Sequence, residues 1–325
     1  MNMKIPIYLC GAALGVILLV HVSGNSQAQS KATAQKKTKS AIQKARQDSI
    51  AAFRADSTHW AAIASIIADS LKRRADSLSR VEDSLKAFQF RKLENKAFDV
   101  GERLVFDVNF GPINAGQAVM AVAKTDTIAG RKCFRVDFTV NSHSSFNWIY
   151  KVEDWYYTYI DVETLAPWRF EQHIREGSYK RDFIADFDQV NGIARTSEGE
   201  YPIPPYVHDI MSAFYYARTI DYSGYAKGQG PTLYNFYKDK SSELFVRLLG
   251  RQELEVEAGT FRTIVVEPIV KEGGLFRSEG RIVIWLSDDE LKIPVRVNTK
   301  VIVGSIDSEL VRYSGLKGNL TSRIK

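Results

Sequence analysis

Three regimes of hydrophobic patterning follow one another along the chain. Ile7 to Val20 is an uncharged, low-polarity run of 14 residues behind Lys4, shorter than the roughly 20 residues a bilayer-spanning helix needs. Ser26 and Ala28 then place small residues three and one before a cut after Ala28. The pattern predicts a removable secretory signal and an exported, periplasmic or envelope-associated protein. The alternative is an uncleaved anchor formed by Ile5 to Val22. From Lys31 to Phe90 there is neither proline nor glycine, and Ala, Ser, Lys, Arg, Asp and Gln dominate, a composition that favours helix. Within it Ala68-Asp69-Ser70-Leu71, Ala75-Asp76-Ser77-Leu78 and Glu82-Asp83-Ser84-Leu85 recur every seven residues. Leu71, Leu78 and Leu85 thus share one heptad position, with Ile67, Val81 and Phe88 on the neighbouring one and Arg74 interrupting it. This predicts a coiled coil within 50–93, a weak homo-oligomer through the three leucines, and disorder in 29–45, where apolar residues are nearly absent.

After Phe98 the period changes from helical to alternating. Thirteen strands are predicted: Arg103 to Phe110, Gln117 to Lys124, Cys133 to Val140, Trp155 to Asp161, Trp168 to Ile174, Arg181 to Phe187, Thr232 to Tyr237, Ser242 to Leu249, Gln252 to Glu257, Arg262 to Val270, Arg281 to Leu286, Val295 to Val303 and Asp307 to Tyr313. Their short links allow antiparallel pairing, since parallel pairs need a crossover of a dozen or more residues. Ala129-Gly130, Asn191-Gly192 and Ala258-Gly259 are hairpin signals. One helix interrupts the meander: Pro204 and Pro205 stop the extended chain, Asp209 is a good N-cap, and Ile210 to Thr219 can run helical. The fold class is therefore mainly β, an antiparallel meander curled into a barrel or half-barrel with one short helix, preceded by a long N-terminal helix. The domains read as a signal at 1–28, a helical spacer at 29–98 and the β domain at 99–325.

Charge sharpens that division. Residues 29–98 hold 15 Lys or Arg against 7 Asp or Glu, whereas 99–325 hold 28 against 31. The net +6 of the chain therefore belongs to the spacer, whose basic face suits peripheral contact with anionic lipid headgroups. The β domain has no basic footprint for nucleic acid. With the signal removed, Cys133 is the one cysteine left, in a strand-like setting where a thiol is usually buried and inert.

Several stretches resemble one bacterial family: Gly101-Glu102-Arg103-Leu104-Val105-Phe106-Asp107-Val108, the Gly116 strand, Trp148 to Asp154, Asp209 to Tyr216, Ala258-Gly259-Thr260-Phe261, Ile284 to Asp289 and Pro294-Val295-Arg296. The family is domain of unknown function 3108, and the resemblance covers about residues 97–316. It implies an exported, β-rich envelope protein, and it brings no catalytic or binding residues and no cofactor.

Candidate chemistry is sparse. Glu171 and His173 share a strand face, which suits half of an acid/base or metal pair but also a plain polar row. His208, Asp209 and Ser212 suggest a hydrolase trio, yet Asp209 and Ser212 stand where a capping arrangement puts them. Asp288, Asp289 and Glu290 are carboxylates in a turn, without the ligand spacing of a calcium loop. Neither a Gly-x-Ser-x-Gly elbow nor a phosphate-binding glycine loop occurs. The aromatic residues say more: Trp148, Tyr150, Trp155, Tyr157, Tyr159 and Tyr215 combine apolar bodies with polar handles, as the wall of a lipid or glycan pocket requires. They are the candidate ligand-binding residues, with aromatic packing of a curved core as the competing reading. The expected function is non-enzymatic binding or scaffolding of a lipid-like, glycan or protein component of the envelope. The alternatives are a hydrolase assembled from distant residues and a structural partner of an envelope assembly.

Overall fold

The computed structural model describes residues 44, 57–87, 90–148, 150–270, 281–301 and 304–325, and the chain divides into two units at Gln89 and Phe90. The expected signal, the stretch 29–45 (expected to be disordered) apart from Lys44, and Phe88 lie outside the described residues. The first unit contributes α1, a 31-residue helix at Ser57–Ala87. Its exposed stripe includes Ile67, Leu71 and Leu78, which keep 54 %, 61 % and 59 % of their surfaces in solvent. The helix has ended by Phe90, so the predicted seam does not reach 93.

The second unit starts at Phe90 rather than after Phe98. Ala97 and Phe98 are wholly buried, and Leu93 N–H donates to Glu163 O at 2.8 Å. Among the described residues fourteen strands form one antiparallel sheet. In chain order they are β1 Arg103–Phe110, β2 Ile113–Ile128, β3 Arg131–Ser142, β4 Glu153–Asp161, β5 Pro167–Glu176, β6 Tyr179–Asp188, β7 Ile193–Thr196 and β8 Gly199–Pro202, followed by β9 Thr232–Tyr237, β10 Lys240–Val256, β11 Gly259–Val270, β12 Ile282–Ser287, β13 Pro294–Lys300 and β14 Ser305–Ser314. The spatial order is β8 to β1, then β14 to β9, so the chain meanders outward on both sides of the central β1/β14 pair.

The sheet is not closed, because β8 and β9 end it without pairing to one another; the closed-barrel form of the expectation does not hold. The two ends meet through side chains instead. Phe236 on β9 lies edge-on to Phe187 of β6 at 5.8 Å and near Tyr201 of β8 at 6.1 Å. The free edge of β9 is also covered by backbone: His208 N–H donates to Tyr234 O and His208 O accepts from Phe236 N–H, each at 2.8 Å. An edge strand dressed in this way offers little to a second chain.

Local chemistry explains the turns. Ala129 and Gly130 both take positive φ, 49° and 78°, which a two-residue primed turn requires, and they join Ile128 to Arg131. The Asn191-Gly192 signal is realised differently, since only Gly192 has positive φ and the link runs from Asp188 to Ile193. At Ala258-Gly259, Gly259 already pairs with Val256. Gly116 in β2 marks a close approach, because a Cβ there would lie 2.9 Å from Ser142 Cα on β3.

Candidate functional site

Inside the curved sheet lies α2, Ile210–Ala217. Pro204 and Pro205 precede it, and its N-cap Asp209 accepts from Met211 N–H at 2.8 Å and Ser212 N–H at 3.0 Å. The cap is held from outside as well, since Thr158 Oγ1 on β4 donates to Asp209 Oδ2 at 2.8 Å. The C-cap Arg218 reaches in the other direction. Its guanidinium donates two 2.7 Å bonds to Glu102, just before β1, and further bonds to Ala97 O and Leu291 O. Both partners of this ion pair have no side-chain exposure. The helix is therefore clamped at each end to a different part of the sheet.

Between the clamps the helix leaves a gap. Ile210, Ala213, Phe214 and Ala217 form an i, i+3, i+4, i+7 stripe, the spacing that aims one helix face at a core, and they form one wall of a groove. Opposite stand Asn235 of β9, Leu244 and Val246 of β10, Val266 and Pro268 of β11, and Ile282, Ile284 and Leu286 of β12. The pleat brings the β10 and β12 residues inward two apart. The groove holds about 50 Å³ of free space beneath its open mouth, well below the range of about 300–1,000 Å³ of small-molecule sites, so a ligand larger than a few atoms must part the walls or extend through the mouth. Alanine at 213 and 217 is what keeps the stripe from filling it. No wall residue carries a charge, and the polar side chain among them, Asn235, is 6 % exposed with Oδ1 accepting no hydrogen bond. On the other side of Ile210 a smaller cleft of about 20 Å³ meets Phe170, Phe183 and Phe236. Its Arg181 is engaged with Gln172 at 3.2 Å and Glu198 at 2.8 Å.

The six sequence-picked aromatics are not in this groove. Trp148 is 82 % exposed. Tyr150 is half-buried, and its hydroxyl donates to Glu176 Oε2 at 3.4 Å. Trp155, Tyr157 and Tyr159 take the outer face of β4, as alternation sets, while Tyr156 and Ile160 turn to the core. There Trp155 stacks on His173 with centroids 5.2 Å apart, Tyr157 lies 4.4 Å beneath the Arg135 guanidinium, and Tyr159 is buried between its cross-strand neighbours Arg135 and Arg169. Tyr215 is wholly buried, edge-on to Phe98 at 4.8 Å. The outer-face group is thus cation–π and ion-pair packing of a sheet surface, and Tyr215 belongs to the core.

The other candidates find local partners. His173 Nδ1 contacts Asp182 Oδ1 at 2.7 Å, with Glu171 4.0 Å from its other nitrogen, on the outer face. His208 is buried, and burial first and the charge of Arg91 second push its imidazole down to about 3, so it is neutral. Its neighbours Asp209 and Ser212 are occupied in the cap. In the 288–290 turn the carboxylates go separate ways: Asp288 to Arg251, Glu290 to Lys96, and Asp289 to Ser287 Oγ and three backbone N–H groups. Among the described residues no three metal-ligating side chains come together. Cys133 is buried, and burial foremost, with Asp161 nearby, pushes its thiol up to about 12, which keeps it protonated and unreactive. A buried acid lies at the end of β4: Asp154 sits beside Glu176, and burial followed by that carboxylate lifts it to about 8, against the opposing donation from Arg175 N–H.

The groove escaped sequence reasoning because its walls come from a helix and four strands with no common spacing. One local signal existed: in Thr232-Leu233-Tyr234-Asn235-Phe236-Tyr237, Asn235 occupies the position that alternation with Leu233 turns inward.

The family model described as protein of unknown function (DUF3108) matches residues 105–311. No curated protein matches the chain. Among solved structures, a β-barrel-like protein of domain of unknown function DUF1849 from Brucella abortus is 10 % identical with a TM-score of 0.45, covering 67 % of this chain and 99 % of its own. A candidate lipoprotein from Parabacteroides distasonis is 12 % identical with a TM-score of 0.32, covering 70 % and 100 %. A candidate exported protein with a YmcC-like fold from Bacteroides fragilis is 11 % identical with a TM-score of 0.33 and the same coverage.

Proposed function

The chain belongs to the DUF3108 family of proteins of unknown function, and from that premise we propose that it is an exported, non-enzymatic binding module whose β unit holds a lipid-like molecule in the groove beside α2. The observation that carries this reading is the groove itself: apolar but for Asn235, uncharged, and left unfilled by two alanines on a helix fixed at both ends. An apolar ligand gains there by removing its own surface and that of the walls from water, at about 25 cal/mol per Å². General acid–base chemistry needs a titratable group within reach of the substrate, and the groove wall supplies none. Export rests on the run at 7–20 and the small residues before 29.

Binding of the apolar fluorophore N-phenyl-1-naphthylamine to the full mature chain tests this. The dye is expected to brighten with micromolar affinity, and Ala217→Phe, which fills the gap from the helix side, should abolish the signal. Trp148→Ala, on the exposed surface and outside the groove wall, should leave it unchanged. A dye response absent from the wild type, or lost in Trp148→Ala and kept in Ala217→Phe, would end this reading.

The stalk supports a second, separate part. Leu71 and Leu78, largely exposed on α1, are the apolar surface through which we propose weak self-association; the Leu85 side chain lies outside the described ones. Leu78→Asp would put a charge where pairing demands desolvation, whereas Ser79→Asp should be silent. Sedimentation velocity is expected to show a concentration-dependent species for the wild type and the Ser79 variant and a monomer for the Leu78 variant. A monomer at every concentration for all three sinks the idea.

A further inference from the structure

We infer that the ligand of the groove is an acyl lipid whose head is uncharged and donates a hydrogen bond, and that Asn235 is the residue that receives it. The inference rests on the binding reading above and specifies its chemistry.

Asn235 stands on β9 facing α2, 6 % exposed, and its Oδ1 takes no bond from the protein. A buried carbonyl oxygen left without a donor is costly, and native structures rarely keep one without a reason. Its surroundings supply no donor of their own, because the wall residues around it, Phe214, Leu244, Val246, Ile284 and Leu286 among them, are hydrocarbon. The missing donor must therefore come from whatever enters. A hydroxyl or amide N–H fits. An ionised carboxylate fits badly: it cannot supply the donor that Oδ1 lacks, and above all it would bring a charge into a wall with no cation to pair it. Phosphate heads fail on the same charge. A monoacylglycerol, a fatty alcohol or a primary fatty amide satisfies both the hydrocarbon walls and the Asn235 carbonyl.

Displacement of N-phenyl-1-naphthylamine from the full mature chain reads the preference directly, with 1-monomyristoylglycerol and myristate compared at pH 8 below their critical micelle concentrations. The wild type is expected to release the dye to the glyceride at a concentration at least tenfold lower than to myristate. Asn235→Leu, similar in volume and without the acceptor, should keep dye binding and lose about tenfold in glyceride affinity, the equivalent of the ~1.4 kcal/mol worth of one hydrogen bond. Asn235→Ser, which retains an acceptor, should fall between. Equal displacement by the two lipids in the wild type, or a preference for myristate, overturns the inference while leaving the groove a binding site. So does an undiminished glyceride preference in the Leu variant. Failure of the dye to bind at all strikes the binding reading instead. Should the Leu variant not fold, the wild-type comparison alone still decides.

Discussion

Replacing Arg218 by methionine is expected to remove about 3–5 kcal/mol of folding free energy, the usual cost of stripping one partner from a buried ion pair. Glu102 would stay behind with no exposure and no counter-charge, and Ala97 O and Leu291 O would each lose a donor. The removal of both charges in Glu102→Leu/Arg218→Met should recover a large part of the loss, because the greater penalty is the stranded carboxylate. Recovery should be incomplete, since no side chain in the double variant serves the two backbone carbonyls. Urea titration checks the order: wild type most stable, double variant intermediate, single variant least. A single variant within about 1 kcal/mol of the wild type would mean that the helix is not clamped here.

The second large effect is on pH. His208 is held down to about 3 from 6.5, so between those values the unfolded chain binds the proton and the folded chain does not. Its contribution is complete above pH 6.5 and declines as pH falls toward 3, by about 1.4 kcal/mol per unit. Asp154 is raised to about 8 from 3.8, so its sign is opposite: its contribution is complete below 3.8 and is lost as pH rises through 8. The two slopes offset each other between about 4 and 6.5, and Asp154 alone acts from there to 8. Comparison with variants separates them. The stability of the wild type minus that of His208→Phe should rise with pH up to 6.5 and then level. Wild type minus Asp154→Asn should fall with pH until about 8 and then level. Asp137 and Asp209, which burial raises in all these proteins, drop out of both differences. Groups facing Asp154 are Glu176, the Tyr156 hydroxyl and the Arg175 N–H, and the Tyr150 hydroxyl reaches Glu176. A flat Asp154 difference would show that this carboxyl is ionised in the folded chain.

Much of the sheet was legible in the sequence and little of the site. The bounds predicted for β1 and β9 are those observed, because each has a sharp change to turn residues at its ends. β7 and β8 escaped notice: Ile-Ala-Arg-Thr and Gly-Glu-Tyr-Pro are too short and too polar to show an alternation. In the opposite direction, Ser242 to Leu249 and Gln252 to Glu257 are one strand, β10, continued through Gly250 at φ 143° with a shift of register. The apolar alternation breaks where the strand bends. The helix after Pro205 was readable from its cap, and it ends at Ala217 rather than Thr219, with Arg218 as its C-cap and the Arg218 side chain on Glu102. The aromatic cluster drew the eye because it is dense in sequence, but a strand sends neighbours to opposite faces. The groove depends on residues as far apart as Ile210 and Leu286 and on what α2 lacks, and absence of bulk at Ala213 and Ala217 has no conspicuous signature.

The strand order also constrains when the molecule can form. β1, the first strand of the sheet in chain order, has β14, the last, as one of its two neighbours, with Phe106 set against Leu310. The middle of the sheet is therefore finished last, by the final strand, whereas the outer strands are complete while the centre is still bare on one side. A growing chain can build the β1 to β8 meander but cannot cover the second edge of β1, which stays open to foreign pairing until β14 arrives. Contacts between such distant parts of the chain slow folding, and for that interval the open edge of β1 is where association competes with folding.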